Sequence, residues 1–319
     1  MNVTRHLAFL CAVLLLPRAQ ALTIEYDYSF DTGFFTGNAE ARTTLEAAGD
    51  FFARRIGDSL LGIDSEGGNN FTATFIDPIT STNEQVANLD LAADTIRVIV
   101  RAGNLGTSVL AQAAPGGYSI TGSGTFQFNA VTRGEGGYST VQGPTASDFA
   151  PWGGAMTFDA DTNWNFGLDS GPAANQFDFL SVALHEFGHI FGVGTAASWD
   201  SQVDISSNRF IGQAAVAVLG AGVPLQTGAN HWADGIASKV APGSESFIVN
   251  AGVSLETAFD PTLQIGLRKL VTDLDLAALA DIGWELVPQV VPIPGSALLL
   301  AGALAALFGL RTRARPALA

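Results

Sequence analysis

The chemistry in this chain starts with His185-Glu186-Phe187-Gly188-His189. At 100° per residue, positions i and i+4 lie about 40° apart, so on a helix both histidines project from one face. Two imidazoles so placed reach one Zn2+ at ~2.0–2.1 Å. Glu186 falls beside them, where it can take a proton from a zinc-activated water. Phe179, Leu180, Val182, Leu184, Phe187 and Ile190 surround the motif, which predicts a largely buried helix. Two histidines and a carboxylate are costly in such surroundings unless they are paired or hold a metal. The bland alternative is a chance HExxH whose histidines merely sit in a core.

The histidine inventory bears on that choice. The chain has four, and His6 lies in a segment read below as a cleaved signal. His185, His189 and His231 then remain, and three histidines are what a catalytic zinc site with one open position needs. Asp200, Glu245 and Glu256 are competing third ligands, and any of them would make a site of two histidines and one carboxylate.

His185 through Gly192 reads HEFGHIFG, which resembles the first eight positions of the metzincin pattern HExxHxxGxxH. The last histidine of that pattern would fall at 195, where the chain has Thr195. In the leishmanolysin-like branch of metzincins the third ligand follows an insertion. That resemblance implies His231, in Asn230-His231-Trp232, 42 positions beyond His189. Met156-Thr-Phe-Asp-Ala-Asp-Thr-Asn-Trp164 is similar to the edge strand before the metzincin active-site helix. The similarity extends from Asp260-Pro261 to Asp281-Ile-Gly-Trp284. Metzincins carry a methionine in a tight turn beneath the zinc. The only methionines here are Met1 and Met156, and Phe259 occupies the expected place, where it can supply an apolar floor.

The elements that must position these residues are partly legible. Residues 39–57 place Leu45, Ala48, Phe52 and Ile56 at helical spacing, while Phe71–Ile76, Thr95–Val100 and Ala155–Phe158 read as strands. Gly103–Gly143, rich in Gly, Ser and Thr, reads as loops and short irregular strands. Helices are expected at Phe177–Phe191, Ile211–Leu219 and Asp273–Asp281, the last capped by Thr272 with Asp275 in the capping-box position. Gly192 and Gly194 suit a sharp turn past the active-site helix. Asp159 and Asp161 offer oxygen ligands for a calcium ion, although a solvated acidic turn explains them as well.

Both ends differ from the middle. Arg5, the apolar run Leu7–Leu16 and Ala19-Gln20-Ala21 read as a signal peptide over residues 1–21. Cys11, the only cysteine, lies inside it, so the mature chain would have neither disulfides nor thiolate ligands. Residues 287–319 hold a Pro-rich spacer, an apolar run from Ala297 to Leu310, then Arg311, Arg313 and Arg315. This layout resembles the PEP-CTERM sorting signals of Gram-negative bacteria, with Ile293 where Glu is usual. The resemblance implies an exosortase-type processing enzyme as partner and a secreted or cell-surface, outer-envelope location. A plain membrane anchor is the alternative.

Five of the 15 basic residues lie in these ends and none of the 30 acidic ones does, so residues 22–286 carry ten basic against 30 acidic groups, a net −20. That charge argues against nucleic acid as a partner. The expectation is one α/β zincin-like domain over residues 22–286, two-lobed, with a mixed sheet over two helices and the HExxH helix flooring the cleft. Zn2+ on His185, His189 and His231, with Glu186 as general base, would hydrolyse a protein or peptide substrate. A surface or matrix protein with a structural or silent metal site is the rival.

Overall fold

The computed structural model describes residues 22–135, 152–244, 247 and 254–287. The signal-like segment 1–21, all but the first residue of the segment 287–319, and the candidate ligand Glu245 lie outside the described residues.

The core is a four-stranded mixed sheet in the order β1-β4-β7-β5. β1 (Thr23–Asp27), β4 (Thr95–Gly103) and β7 (Gly153–Asp159) run parallel, and β5 (Ala111–Pro115) closes one edge antiparallel to β7. The buried strand β4, Thr-Ile-Arg-Val-Ile-Val-Arg-Ala-Gly, shows why a central strand reads as a near-continuous apolar run. The helices α2 (Ala39–Ala53) and α4 (Phe179–Ile190) cover one face. Asn38 caps α2, its Oδ1 accepting from Ala41 N at 3.0 Å, after the single turn α1 (Phe34–Gly37). Leu45, Ala48, Phe51 and Phe52 of α2 are fully buried, and Phe52 packs against Phe187 and Phe191. The helix ends earlier than its periodicity predicts: Ile56 instead forms an isolated bridge with Leu286.

A second, antiparallel sheet of order β3-β2-β6 uses β2 (Asn70–Asp77), β3 (Thr82–Val86) and β6 (Gly117–Thr121). Phe71, Ala73 and Phe75 pack with Ile99 and Trp152 in a separate core, so the second sheet stacks on the first. An ion pair of Arg101 with Asp77, both buried, joins them. The segment expected to be loops and irregular strands therefore holds β5, β6 and a regular helix, α3 (Gly124–Thr132). Ser123 caps that helix, its Oγ accepting from Phe126 N at 3.2 Å. The Gly and Ser content hid α3, because those residues mark caps and turns as readily as loops.

After α4 the chain makes α5 (Ala197–Asp200) and α6 (Gln213–Leu219), and α7 (Asp273–Asp281) is the last helix among the described residues. Thr272 and Asp275 form the capping box of α7, as their spacing predicts.

The start of α4 is fixed by charge. Asp178 is its N-cap, accepting from Ser181 N at 3.1 Å, and is fully buried. Arg268 meets it with two bonds, Nε to Oδ2 at 2.9 Å and Nη2 to Oδ1 at 2.7 Å. The same guanidinium donates to the carbonyls of Gly167, Leu168 and Ser170. Arg268→Ala strands a buried carboxylate, so the expected loss is about 3–5 kcal/mol. Urea unfolding of the variant beside Arg268→Ala/Asp178→Asn checks it: the second change should recover part of the loss, because it removes the stranded charge.

Candidate metal centre

Helix α4 carries His185 and His189 on one face, as their spacing requires. A tight turn follows, with Gly192 at φ +98° and Gly194 at φ +69°. A Cβ on Gly194 would stand 1.9 Å from the carbonyl oxygen of Asn230, so the missing side chain lets the returning chain dock there. Thr195 is no ligand: its Oγ1 donates to the carbonyl of His189 at 2.8 Å.

Between positions 195 and 230 the chain builds an aromatic block. Trp199, Phe210 and Trp232 are fully buried, with ring centroids 4.4 to 5.4 Å apart. Trp199 Nε1 donates to the carbonyl of Ala229 at 2.8 Å, and Leu225 bridges Trp232. These contacts deliver His231 to the other two histidines.

The three Nε2 atoms converge. They lie 3.2 Å apart for His185 and His231, 3.1 Å for His185 and His189, and 3.0 Å for His189 and His231. Each Nδ1 faces an oxygen: the carbonyl of Ala258 for His185 at 2.8 Å, the carbonyl of Val193 for His189 at 2.8 Å, and Asn230 Oδ1 for His231 at 3.1 Å. Carbonyl oxygens only accept, so each Nδ1 carries the ring proton and each Nε2 is left with a lone pair. Burial lowers the pKa of all three rings, His231 to about 4 and His185 well below the ordinary value, with the neighbouring histidines adding to the effect on both. Three neutral rings whose lone pairs meet within 3.2 Å have no proton to share. A cation is the partner that this donor set fits, and Zn2+ is the metal that neutral imidazoles favour in such a number.

Glu186 sits beside this centre, 4% exposed, with Oε2 lacking any partner among the described residues. Burial alone pushes its carboxyl up to about 8. Phe259 lies beneath α4 as the sequence suggests: a Cβ on Gly188 would stand 2.2 Å from its ring. The turn that holds Phe259 also supplies the Ala258 carbonyl that orients His185.

That turn hangs from one residue the sequence reading saw only as a helix cap. The Asp275 carboxylate, fully buried, accepts from Ala258 N at 2.9 Å, Phe259 N at 3.2 Å, Trp232 Nε1 at 3.0 Å, and Thr272 N and Oγ1 at 2.8 Å each. It ties together the neighbours of His185 and of His231. Only the capping-box spacing pointed to it in the sequence. Trp284 was likewise missed: its Nε1 donates to the carbonyl of Phe191 at 2.8 Å, closing the end of α4.

The competing ligands stand elsewhere. Asp200 is exposed at the end of α5 and belongs to no ligand cluster among the described residues. Glu256 lies with Asp234 and Asp260 in a second acidic group, but Lys269 Nζ already fills it, 2.7 Å from Asp260 and 2.9 Å from Glu256. Asp159 accepts from Leu105 N and Thr162 Oγ1, and Asp161 from Asn104 Nδ2. Neither joins a carboxylate cluster among the described residues.

A cleft of about 1110 Å³ opens over the centre. His185, Glu186, His189 and His231 line it together with β5, Val182, Ala258 and the segment Asp260 to Leu263.

Comparisons with known proteins point the same way. Residues 125–203 match the family model described as Matrixin, peptidase family M10, a stretch that holds His185, Glu186 and His189 and ends before His231. Over 48 residues the chain is 46% identical to Metalloendoproteinase 1 of Glycine max, an alignment covering 14% of this chain and 16% of that protein. The chain thus spans less than a fifth of the length of that relative. No solved structure gives a significant match. Both matches are partial and both overlap metallopeptidases, and the mixed α/β structure fits a zincin-like fold.

Proposed function

We propose that the chain is a secreted zinc-dependent endopeptidase, with His185, His189 and His231 as the metal ligands and Glu186 as general base. The observation that carries this reading is the convergence of three Nε2 atoms, each ring held by an oxygen on its other nitrogen.

Zinc, when bound, supplies the Lewis acidity that activates water and stabilises the developing oxyanion. The rest belongs to the protein. Glu186, beside the ligands and free at Oε2, accepts a proton from the attacking water. It returns that proton to the amine nitrogen as the carbon–nitrogen bond breaks. Strand β5 lies at the edge of its sheet and lines the cleft, so an extended peptide can pair with its free backbone groups. Such pairing suits a chain cut at an internal bond.

The third ligand after an insertion gives the leishmanolysin-like arrangement. The two-lobed division, the cleaved signal at 1–21 and the PEP-CTERM-like segment at 287–319 complete the reading. The residue pattern of the two ends supports a location at the envelope of a Gram-negative bacterium or outside it, with an exosortase-type enzyme acting on the tail.

Zinc content tests the centre. Protein purified without a histidine tag should hold roughly one zinc per chain, and His231→Ala should lose it or bind it far more weakly. Equal zinc in both proteins would remove His231 from the site. No zinc in either would favour the surface-protein rival.

A further inference from the structure

The three histidines are not held alike. His185 and His189 are oriented by main-chain carbonyls, which cannot change from acceptor to donor. His231 is oriented by a side-chain amide, whose two ends are opposite in character: Oδ1 accepts and Nδ2 donates. If the Asn230 amide turned over, Nδ2 would donate to His231 Nδ1. The ring proton would then have to move to Nε2, and the third lone pair would be lost.

One neighbour shares the same acceptor. Gln226 Nε2 donates to the same Asn230 Oδ1 at 3.1 Å. Gln226 faces His231 across a short hairpin, its backbone N–H donating to the His231 carbonyl at 3.1 Å. Leu225 bridges Trp232 next to it, and Trp199 holds the tip at Ala229. The amide of Asn230 is therefore exposed, while the backbone that carries it is pinned on both sides.

We propose that Asn230 is the positioning residue of the third ligand, its Oδ1 holding the His231 ring by Nδ1 and steadied by Gln226 Nε2, so that His231 presents Nε2 to the metal. The relay Gln226 to Asn230 to His231 makes this ligand the one whose readiness depends on a side-chain rotamer. The inference rests on the metal site proposed above. Neighbours of this kind that orient a ligand typically change metal affinity 10- to 100-fold when lost.

Zinc affinity of the full chain, read by competition with a chromophoric chelator at neutral pH, tests it. Asn230→Ala should bind zinc about 10- to 100-fold more weakly than wild type. Asn230→Asp, which offers an acceptor in either orientation, should stay close to wild type and keep the visible spectrum of the cobalt-loaded protein. Gln226→Ala should fall between them, because Asn230 Oδ1 then loses the second donor that steadies it. Thermal melts of the metal-free proteins serve as the folding control, since the backbone contacts of the hairpin are untouched. Wild-type affinity in Asn230→Ala, with His231→Ala much weakened, would overturn the role of Asn230 and leave the metal site standing. Equal losses in Asn230→Ala and Asn230→Asp would also overturn it, since an acceptor would then not be what matters. If wild type binds no zinc, or His231→Ala binds as wild type does, the metal site itself fails and this inference with it.

Discussion

Glu186→Gln should abolish cleavage of an unfolded protein substrate while leaving zinc bound. The side chain keeps its size and its place beside the ligands, but the amide cannot take a proton from water. Loss of a positioned general base typically lowers the rate about 10²- to 10⁴-fold. Glu186 is not among the three converging nitrogens, and its Oε2 has no partner to lose. The substitution replaces a buried carboxyl by a neutral group, so the fold should not suffer. The measurement is the turnover rate of a fluorescently quenched protein, with metal content determined on the same preparation. Retained cleavage would remove Glu186 from the chemistry. Lost cleavage together with lost zinc would assign it a role in holding the metal instead.

Asp275→Ala should have the largest effect on stability. The alanine leaves Ala258 N–H, Phe259 N–H, the Trp232 indole N–H and the Thr272 donors facing a void in a fully buried place. Each buried donor left without an acceptor costs roughly 1–3 kcal/mol, so a total loss of about 4 kcal/mol or more is expected. The damage reaches the site through both arms. The turn under α4 loosens, and with it the Ala258 carbonyl that orients His185. Trp232 loosens too, and it adjoins His231. Chemical denaturation and zinc affinity should therefore fall together. Asp273→Ala, in the first turn of the same helix, is the control and should cost no more than about 1 kcal/mol. Similar losses in the two variants would show that the carboxylate acts only on the helix end.

The legible parts of this protein were the ones decided by neighbours in sequence. A 3.6-residue period and two histidines four apart specify a helix face wherever the helix is placed, so α4 and the placement of His185, Glu186 and His189 on it could be read directly. The same holds for the capping box of α7 and for β4, whose apolar run has no other use than burial. Helix α3 was missed because Gly and Ser serve caps and loops alike, and only the bond from Phe126 N to Ser123 Oγ separates the two.

The third ligand depended on distance through space. His231, Asp200 and Glu256 were all chemically able, and nothing local ranks a histidine 42 positions away above a carboxylate nearby. The aromatic block of Trp199, Phe210 and Trp232 brings His231 to the other two histidines, by folding the insertion back so that Asn230 docks on Gly194. Asp275 is the same case: its sequence neighbours explain a helix cap, whereas the donors from Trp232, Ala258 and Phe259 arrive from segments 16 to 43 positions away. The sequence by itself determined which groups could do the chemistry, because that is a property of residue type and helical spacing. Tertiary structure alone decided which of them meet and which nitrogen of each ring carries the proton, because both depend on partners that only folding brings within 3 Å or so.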